Sequence, residues 1–215
     1  MDKETQLKEI AQKVAACQKC PLFKTATRPV FGNGDPNSQI LFIGEAPGYW
    51  EDQKGIPFCG AAGKLLDELL SSIGLSREKV FVANVLKHRP PNNRDPLPEE
   101  IQACQEYLDA QIKIISPKVI VTLGHFSLTK FLPYAKISQD HGVGKIVNFN
   151  NLRLIVIPMF HPAAALRSLA IEQKLRDDFK KIPQEIERLE KILEGVSDVK
   201  AVPEEVKKEE QLTLV

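Results

Sequence analysis

The stretch from Leu41 to Leu70 constrains the fold most, because it joins a short apolar run to a glycine-rich turn and then to an amphipathic segment. The apolar residues 40–43 predict a buried strand. The turn 44–48 (GEAPG) ends that strand, since glycine and proline cannot extend a strand ladder. Open α/β sheets bind ligands at the carboxyl ends of their strands, so this stretch predicts a pocket mouth. The alternative is an ordinary loop between a strand and a helix.

Apolar, β-branched runs alternate with helical segments along the rest of the chain. Further strands are predicted at 79–86, 118–123 and 152–159, and helices at 3–16, at 98–115 and from about residue 163. This alternation is typical of an α/β protein with a mostly parallel sheet that helices cover on both faces.

Composition narrows the class of protein. No run of about 18 apolar residues occurs, so no membrane-spanning segment is predicted. The first 13 residues are charged where a secretory signal would be apolar, which favours a cytoplasmic protein. Four cysteines without such a signal favour free thiols or metal ligands over disulfides.

One domain is expected over residues 1–181, including the N-terminal helix and the loop with the first two cysteines. Residues 182–195 place aliphatic side chains on one helical face, so they predict an amphipathic helix that docks on the body. The charged residues 196–215 predict a disordered tail. Acidic residues outnumber basic ones from 182 onward, which leaves the body mildly basic, a weak indication of a polyanionic partner.

Polar or aromatic groups follow three of the predicted strands. They are Glu45 and Phe58 after the first, Asn84 at the end of the second and His161 after the fourth. Parallel strands end at one edge, so these side chains should converge on a planar ligand: an amide can pair with a ring edge and a phenyl ring can stack on its face. An imidazole at a helix start can donate a hydrogen bond to a developing anion. Singly, each residue has an ordinary alternative as a core, turn or capping residue.

Sulfur defines a second group of residues. Cys17 and Cys20 have the spacing of a two-ligand metal loop, Cys104 lies on the helix at 98–115, and His88 precedes that helix. Three thiolates and one imidazole suit zinc, and they also suit an iron–sulfur cluster, where histidine is the less usual ligand. The alternative is a set of unlinked thiols, as we expect for Cys59.

Six short motifs run through the chain in order: 17–22 (CQKCPL), 44–48 (GEAPG), 55–58 (GIPF), 84–87 (NVLK), 89–94 (RPPNNR) and 161–167 (HPAAALR). Together they resemble the family 4 uracil-DNA glycosylases, the iron–sulfur type of bacteria and archaea, over roughly residues 11–181. The resemblance implies a three-layer α/β/α sandwich with a central four-stranded parallel sheet. It also implies hydrolysis of the N-glycosidic bond of uracil in DNA, a [4Fe–4S] cluster in preference to zinc, and a nucleoid-associated enzyme of base excision repair.

The resemblance also implies roles for the pocket residues. Phe58 would stack on uracil, Asn84 would bind its edge, and His161 would stabilise the charge on O2 as the base leaves. Glu45 would contribute to base discrimination or position water. The backbone of the first motif, at Gly44, Ala46 and Gly48, would line the same pocket.

Four further residues are expected to contact DNA. Leu166 would act as an apolar wedge in the minor groove and Arg167 would contact a phosphate. Arg89 and Arg94, in the fifth motif, are expected to contact DNA as well.

His88 departs from the family pattern, because most members have a cysteine there. The hypothesis that His88 completes the cluster ligands Cys17, Cys20 and Cys104 rests on its position in the sequence. A covalent uracil-binding branch of the same superfamily also carries Lys-His at this point, but it has an arginine-rich insert that ends in a histidine and a Gln in its first motif. This chain has the short segment 90–94 and Ala46 instead, which favours hydrolytic turnover over covalent or tight uracil-DNA binding.

Two other functions and one further protein partner are also considered from the sequence. A non-catalytic DNA-binding module and a zinc-stabilised nucleotide-binding protein are the rivals from other classes. The terminal residues 211–215 (QLTLV) partly match sliding-clamp ligands, with Gln211 and Leu214 in place but no aromatic residues, so a frayed terminus is the favoured interpretation. We expect a monomer.

Overall fold

A mixed six-stranded sheet forms the centre of the protein in a computed structural model, which describes residues 1–197. The strand order is β1-β3-β2-β4-β6-β5. The bounds are β1 Asn33–Gly34, β2 Ile40–Gly44, β3 Phe81–Asn84, β4 Val119–Leu123, β5 Lys145–Phe149 and β6 Leu152–Met159.

The number of strands in the prediction was wrong. The inner strands β3, β2, β4 and β6 run parallel, but β1 pairs antiparallel with β3 and β5 pairs antiparallel with β6. Neither edge strand has the fully buried apolar run that identifies a central strand: β1 has two residues, and β5 has only partly buried and exposed side chains. The α/β class of the prediction is confirmed.

Eight α-helices surround the sheet in the described part of the chain. They are α1 Lys3–Ala15, α2 Tyr49–Lys54, α3 Ala61–Ser72, α4 Pro98–Ile115, α5 His125–Phe131, α6 Ile137–Asp140, α7 Pro162–Ala165 and α8 Leu169–Ser197. Short 3-10 turns lie at Pro21–Lys24, Arg77–Lys79 and Pro91–Asn93.

The two larger core clusters lie one on each face of the sheet, as the alternating side chains of the strands require. On one face, Phe42 and Val121 pack with leucines of α3 and with Phe179 of α8. On the other face, Leu41 and Ile120 pack with α1, α4 and α5. This arrangement gives the layered α/β/α order that positions the loops above the sheet.

Strand β3 ends at Asn84, two residues before the predicted end at 86. The amides of Val85 and Leu86 leave the strand ladder and donate to the carbonyl oxygens of Gly44 and Glu45, at 3.0 and 2.9 Å. These bonds join the loop after β3 to the loop after β2. The two loops are therefore fixed to each other at the carboxyl edge of the sheet.

The residues predicted as a separate helix at 182–195 continue α8 without a break. Glu185 accepts a hydrogen bond from the Gly144 amide at 2.8 Å, and Arg188 donates to the Gly144 carbonyl at 3.2 Å. Leu189 is 3% exposed in the core cluster. The helix is thus anchored to the sheet edge well beyond residue 181. The predicted disordered tail lies almost entirely outside the described residues.

No helix among residues 1–197 is both long enough and apolar enough to cross a bilayer.

Truncating Leu189 should show that this end of α8 belongs to the folded body. We expect Leu189→Ala to lower the free energy of unfolding by about 2–5 kcal/mol, because it leaves a cavity in a closed core. Ile192→Ala, on the same helix but 44% exposed, should cost less than about 1 kcal/mol. Denaturant unfolding measures both, and equal small losses would contradict the anchoring.

Candidate active site

A cavity of about 340 Å³ opens at the carboxyl edge of the parallel strands. Its walls come from the loops after β2, β3 and β6 and from the start of α7. The lining residues are Glu45, Ala46, Pro47, Gly48, Glu51, Phe58, Ala62, Asn84, Pro90, Asn93, Arg94, Asp95, His161, Ala163, Ala164 and Arg167. The four polar or aromatic residues predicted to converge therefore lie together.

Asn84 presents an unused hydrogen-bond acceptor in this cavity. The residue is 2% exposed, and its Oδ1 has no hydrogen-bond partner among the described residues. Asn84 is the partner of Gly44 in the register of β3 and β2. A Cβ atom at residue 44 would overlap Asn84 Oδ1 and would lie 2.6 Å from the Phe58 ring. Glycine is needed at 44 because the amide and the ring occupy the space that a side chain would take.

Lys87 supports Asn84 from below. Its ammonium is fully buried and donates to the Asn84 carbonyl at 2.8 Å and to Gln111 Oε1 at 2.6 Å. Gln111 in turn donates to the carbonyl of Phe31 at 2.9 Å. Burial lowers the pKa of Lys87 to about 8. The network ties the end of β3 to α4.

Phe58 has a backbone conformation that non-glycine residues rarely adopt, with φ of 51°. Arg77 donates to its carbonyl oxygen at 2.8 Å, and Glu51 Oε1 accepts from the amides of Cys59 and Gly60 at 2.9 and 3.0 Å. Gly63 lets this turn approach α3, because a Cβ atom there would overlap the Phe58 carbonyl. These bonds fix the backbone at Phe58 and at the two residues after it, and so hold the ring in the cavity.

His161 stacks against Phe58, with ring centroids 5.5 Å apart and an angle of 28° between the planes. Its Nδ1 accepts from the Ala163 amide at 3.1 Å, which assigns the proton to Nε2. Burial lowers the pKa of His161 to about 4, so the ring is neutral at pH 7. A neutral imidazole with a fixed tautomer is a hydrogen-bond donor at Nε2 without carrying a charge.

Glu45 lines the cavity, and the pKa of its carboxyl group is strongly raised. Desolvation, reinforced by the negative charge of Asp95, raises the pKa of Glu45 to about 7. The side chain therefore changes charge near neutral pH inside the cavity.

The arginines predicted to contact DNA differ in their availability. Arg167 lines the cavity and Leu166 beside it is 50% exposed. Arg89 donates to Asn93 Oδ1 at 2.7 Å. Arg94 makes two bonds to Glu100, at 2.9 and 2.6 Å, so its charge is already compensated within the protein.

The predicted metal ligands lie apart from the residues that line this cavity. Cys17, Cys20 and Cys104 belong to one packed cluster, and the Lys87 amide donates to Cys104 Sγ at 3.3 Å. Cys17 and His88 line a second cavity of about 200 Å³. Burial lowers the pKa of His88, which favours the neutral, ligating form. The donor types fit a thiolate-held group, but within residues 1–197 no three His, Cys, Asp or Glu side chains are arranged so that they could hold a metal ion.

Several residues that shape the site were missed from the sequence. Asp95, Gln111 and Arg77 act on Glu45, Lys87 and Phe58 over separations of 50, 24 and 19 residues. No local pattern signals such pairings. Lys87 carried one indirect signal: it is a lysine that directly continues an apolar strand.

Replacing Glu45 should change how stability depends on pH. A carboxyl whose pKa rises from 4.5 to about 7 on folding favours the folded state when neutral, so its contribution is lost as pH rises through 7. We expect Glu45→Gln to unfold at a higher temperature than the parent at pH 8 and at a similar temperature near pH 4.5. The exposed Glu9→Gln serves as the control, and parallel curves for Glu45→Gln and the parent would contradict the assignment.

Comparison with known proteins agrees with this geometry. A family model described as the Uracil DNA glycosylase superfamily matches residues 31–187. The chain is 47% identical to a type-4 uracil-DNA glycosylase of Sulfurisphaera tokodaii, over 82% of this chain and 83% of that protein. It is also 47% identical to one of Archaeoglobus fulgidus, over 82% and 91%, and 44% identical to one of Thermotoga maritima, over 79% and 88%. The chain belongs to the uracil-DNA glycosylase superfamily.

Proposed function

We propose that this protein is a uracil-DNA glycosylase that flips uracil out of DNA and hydrolyses its N-glycosidic bond. The observation that carries the proposal is the unpaired, buried Asn84 Oδ1 in a cavity that also holds the Phe58 ring and a neutral His161. The names of the relatives, type-4 uracil-DNA glycosylases, support the same reaction.

Uracil recognition follows from the chemistry of its edge. N3–H is a donor and O4 is an acceptor, so a carboxamide can accept from the first and donate to the second. Asn84 supplies both groups, and Phe58 offers a flat face for the ring. The unpaired Oδ1 acquires a partner only when such a donor enters, which favours uracil over bases without a proton at N3.

Bond cleavage places negative charge on the departing base. The electron pair of the C1′–N1 bond moves into the uracil ring, and His161 Nε2–H donates a hydrogen bond to O2 as the charge develops. Water then bonds to the oxocarbenium-like C1′ and its proton leaves to solvent or to the uracil anion. Flipping the base out of the stack costs a few kcal/mol, which binding in the cavity offsets.

Neither Glu51 nor Asp52 is assigned as a general base for the attacking water. Glu51 Oε1 already accepts from two amides, and Asp52, which is 2% exposed, accepts from the Thr27 amide at 2.8 Å. Glu45 borders the cavity and is proposed to order the attacking water. The barrier is therefore lowered chiefly by His161 and by exclusion of solvent.

The proposed DNA contacts follow the exposure of Leu166 and the ion pair that Arg94 already forms with Glu100. Leu166 enters the space that the flipped nucleotide leaves, and Arg167 and Arg89 bind phosphates. Arg94 keeps its bonds to Glu100 and acts mainly on the shape of the wall.

Cys17, Cys20, Cys104 and His88 are proposed to hold a [4Fe–4S] cluster, with zinc as the less favoured occupant. When bound, the cluster would serve structure and DNA contact, without redox chemistry at the base. Residues 1–181 remain the proposed catalytic domain. The possible clamp-binding segment 211–215 lies outside the described residues and stays a prediction, as do the monomeric state and the nucleoid location.

The covalent alternative is distinguished by turnover. Among the described residues that line the uracil cavity, His161 is the single histidine, while His88 lines the cavity of Cys17. This placement favours release of the product.

His161→Ala should reduce kcat about 10²- to 10³-fold, because it removes the donor to the uracil anion. Asn84→Ala should lower kcat/KM by a similar factor. The measurement is alkaline cleavage of a labelled oligonucleotide with one uracil, in excess over protein, and His125→Ala, exposed on α5, is the control. If product formation stops at one equivalent per protein and the product stays attached to denatured protein, the protein belongs to the covalent branch. If no product forms, only a DNA-binding role is left.

His88→Ala should reduce iron per protein chain and the visible absorption of the purified protein, because it removes one proposed ligand. Cys104→Ala should do the same, whereas Cys59→Ala, outside the sulfur cluster, should keep full iron content. Unchanged iron and spectrum in His88→Ala would show that the imidazole is not a ligand.

A further inference from the structure

Two large aromatic side chains stand exposed next to residues that line the uracil cavity. Tyr49 and Trp50 open α2 and are 50% and 55% exposed. Their chain neighbours Gly48 and Glu51 both line the cavity. The pair, called here the aromatic platform, therefore lies next to the wall of the uracil cavity.

The platform is held in place by the buried part of its helix. Glu51 is bonded to the amides of Cys59 and Gly60, and Asp52 to the amide of Thr27. The two rings pack edge to face, with centroids 5.2 Å apart and an angle of 78°. Anchored rings lose little freedom when a ligand stacks on them, unlike isolated apolar side chains on a loop.

Positive charge accompanies both rings. The Arg89 guanidinium lies 5.2 Å from the Tyr49 ring centroid, and the Lys54 ammonium lies 5.9 Å from that of Trp50. Rings flanked by cations suit a ligand that combines flat bases with phosphates, which is single-stranded nucleic acid. An uncharged apolar partner would leave these cations unused.

We propose that the aromatic platform stacks the base of a nucleotide next to the flipped uracil, with Lys54 and Arg89 near the phosphates. The inference rests on the proposed function, because uracil in the cavity brings its neighbours to this surface. In a duplex the neighbouring base is already stacked and paired, so stacking on Trp50 adds most when that base is unpaired. The platform thus makes the enzyme favour uracil in single-stranded or frayed DNA.

The chain has one tryptophan, so Trp50 reports on the platform directly. The probe is a single-stranded oligothymidine with one central 2′-fluoro-deoxyuridine, a substrate analogue that resists cleavage. A second probe has abasic spacers on both sides of the same nucleotide. We expect the first probe to quench the fluorescence of Trp50 strongly and the second to quench it weakly.

Binding of the labelled probes, measured by anisotropy, tests the contact itself. Trp50→Ala should weaken binding of the first probe about 5- to 100-fold and that of the second less than about 2-fold, since no base remains to stack. Trp50→Phe should restore most of the loss. Tyr134→Ala, at a tyrosine that is 99% exposed and whose chain neighbours do not line the cavity, should change neither.

Equal losses of Trp50→Ala on both probes, or the absence of quenching, would overturn the proposal. Its failure is separable from failure of the glycosylase assignment. Multiple turnovers of uracil release by the parent protein establish the glycosylase whatever Trp50→Ala does to binding of the two probes. If the parent releases no uracil, the binding comparison with the two probes still tests the platform.

Discussion

The close approach of Gly44, Asn84 and Phe58 is the constraint on which the site depends. Gly44 and Asn84 are partners in the register of β2 and β3, and the missing Cβ of Gly44 leaves room for both the amide and the ring. Any side chain at 44 would displace one of the two groups assigned to uracil. The pairing of two central strands therefore sets the geometry of the pocket, and the loops above them inherit it.

Burying the polar groups around the uracil cavity costs free energy, which hydrogen bonds to a ligand or to other protein groups offset. An unpaired buried acceptor such as Asn84 Oδ1 costs about 1–3 kcal/mol. Lys87 avoids that cost through the Asn84 carbonyl and Gln111, while His161 avoids it by remaining neutral. The protein thus keeps one acceptor unpaired for a planar base and pairs or neutralises these two groups around it.

Much of this arrangement was predictable because it follows from local pattern and from strand direction. The bounds of α4 and β6 match the sequence analysis, and Glu45, Phe58, Asn84 and His161 meet because parallel strands end at one edge. The roles of these residues remain predictions that mutagenesis must test. Three features could not be predicted: the two edge strands, the ion pair of Arg94 with Glu100, and the hydrogen bond from Arg77 to the Phe58 carbonyl. They depend on contacts between distant side chains and turns, which leave no periodic pattern in the sequence.

Inhibition by free bases tests the central claim most directly. If Asn84 Oδ1 accepts from N3–H, free uracil should competitively inhibit the release of uracil from DNA. N3-methyluracil should inhibit far more weakly because its methyl group meets the unpaired oxygen. Equal inhibition by the two bases would show that Asn84 does not read this edge, and the account of the pocket would have to be abandoned.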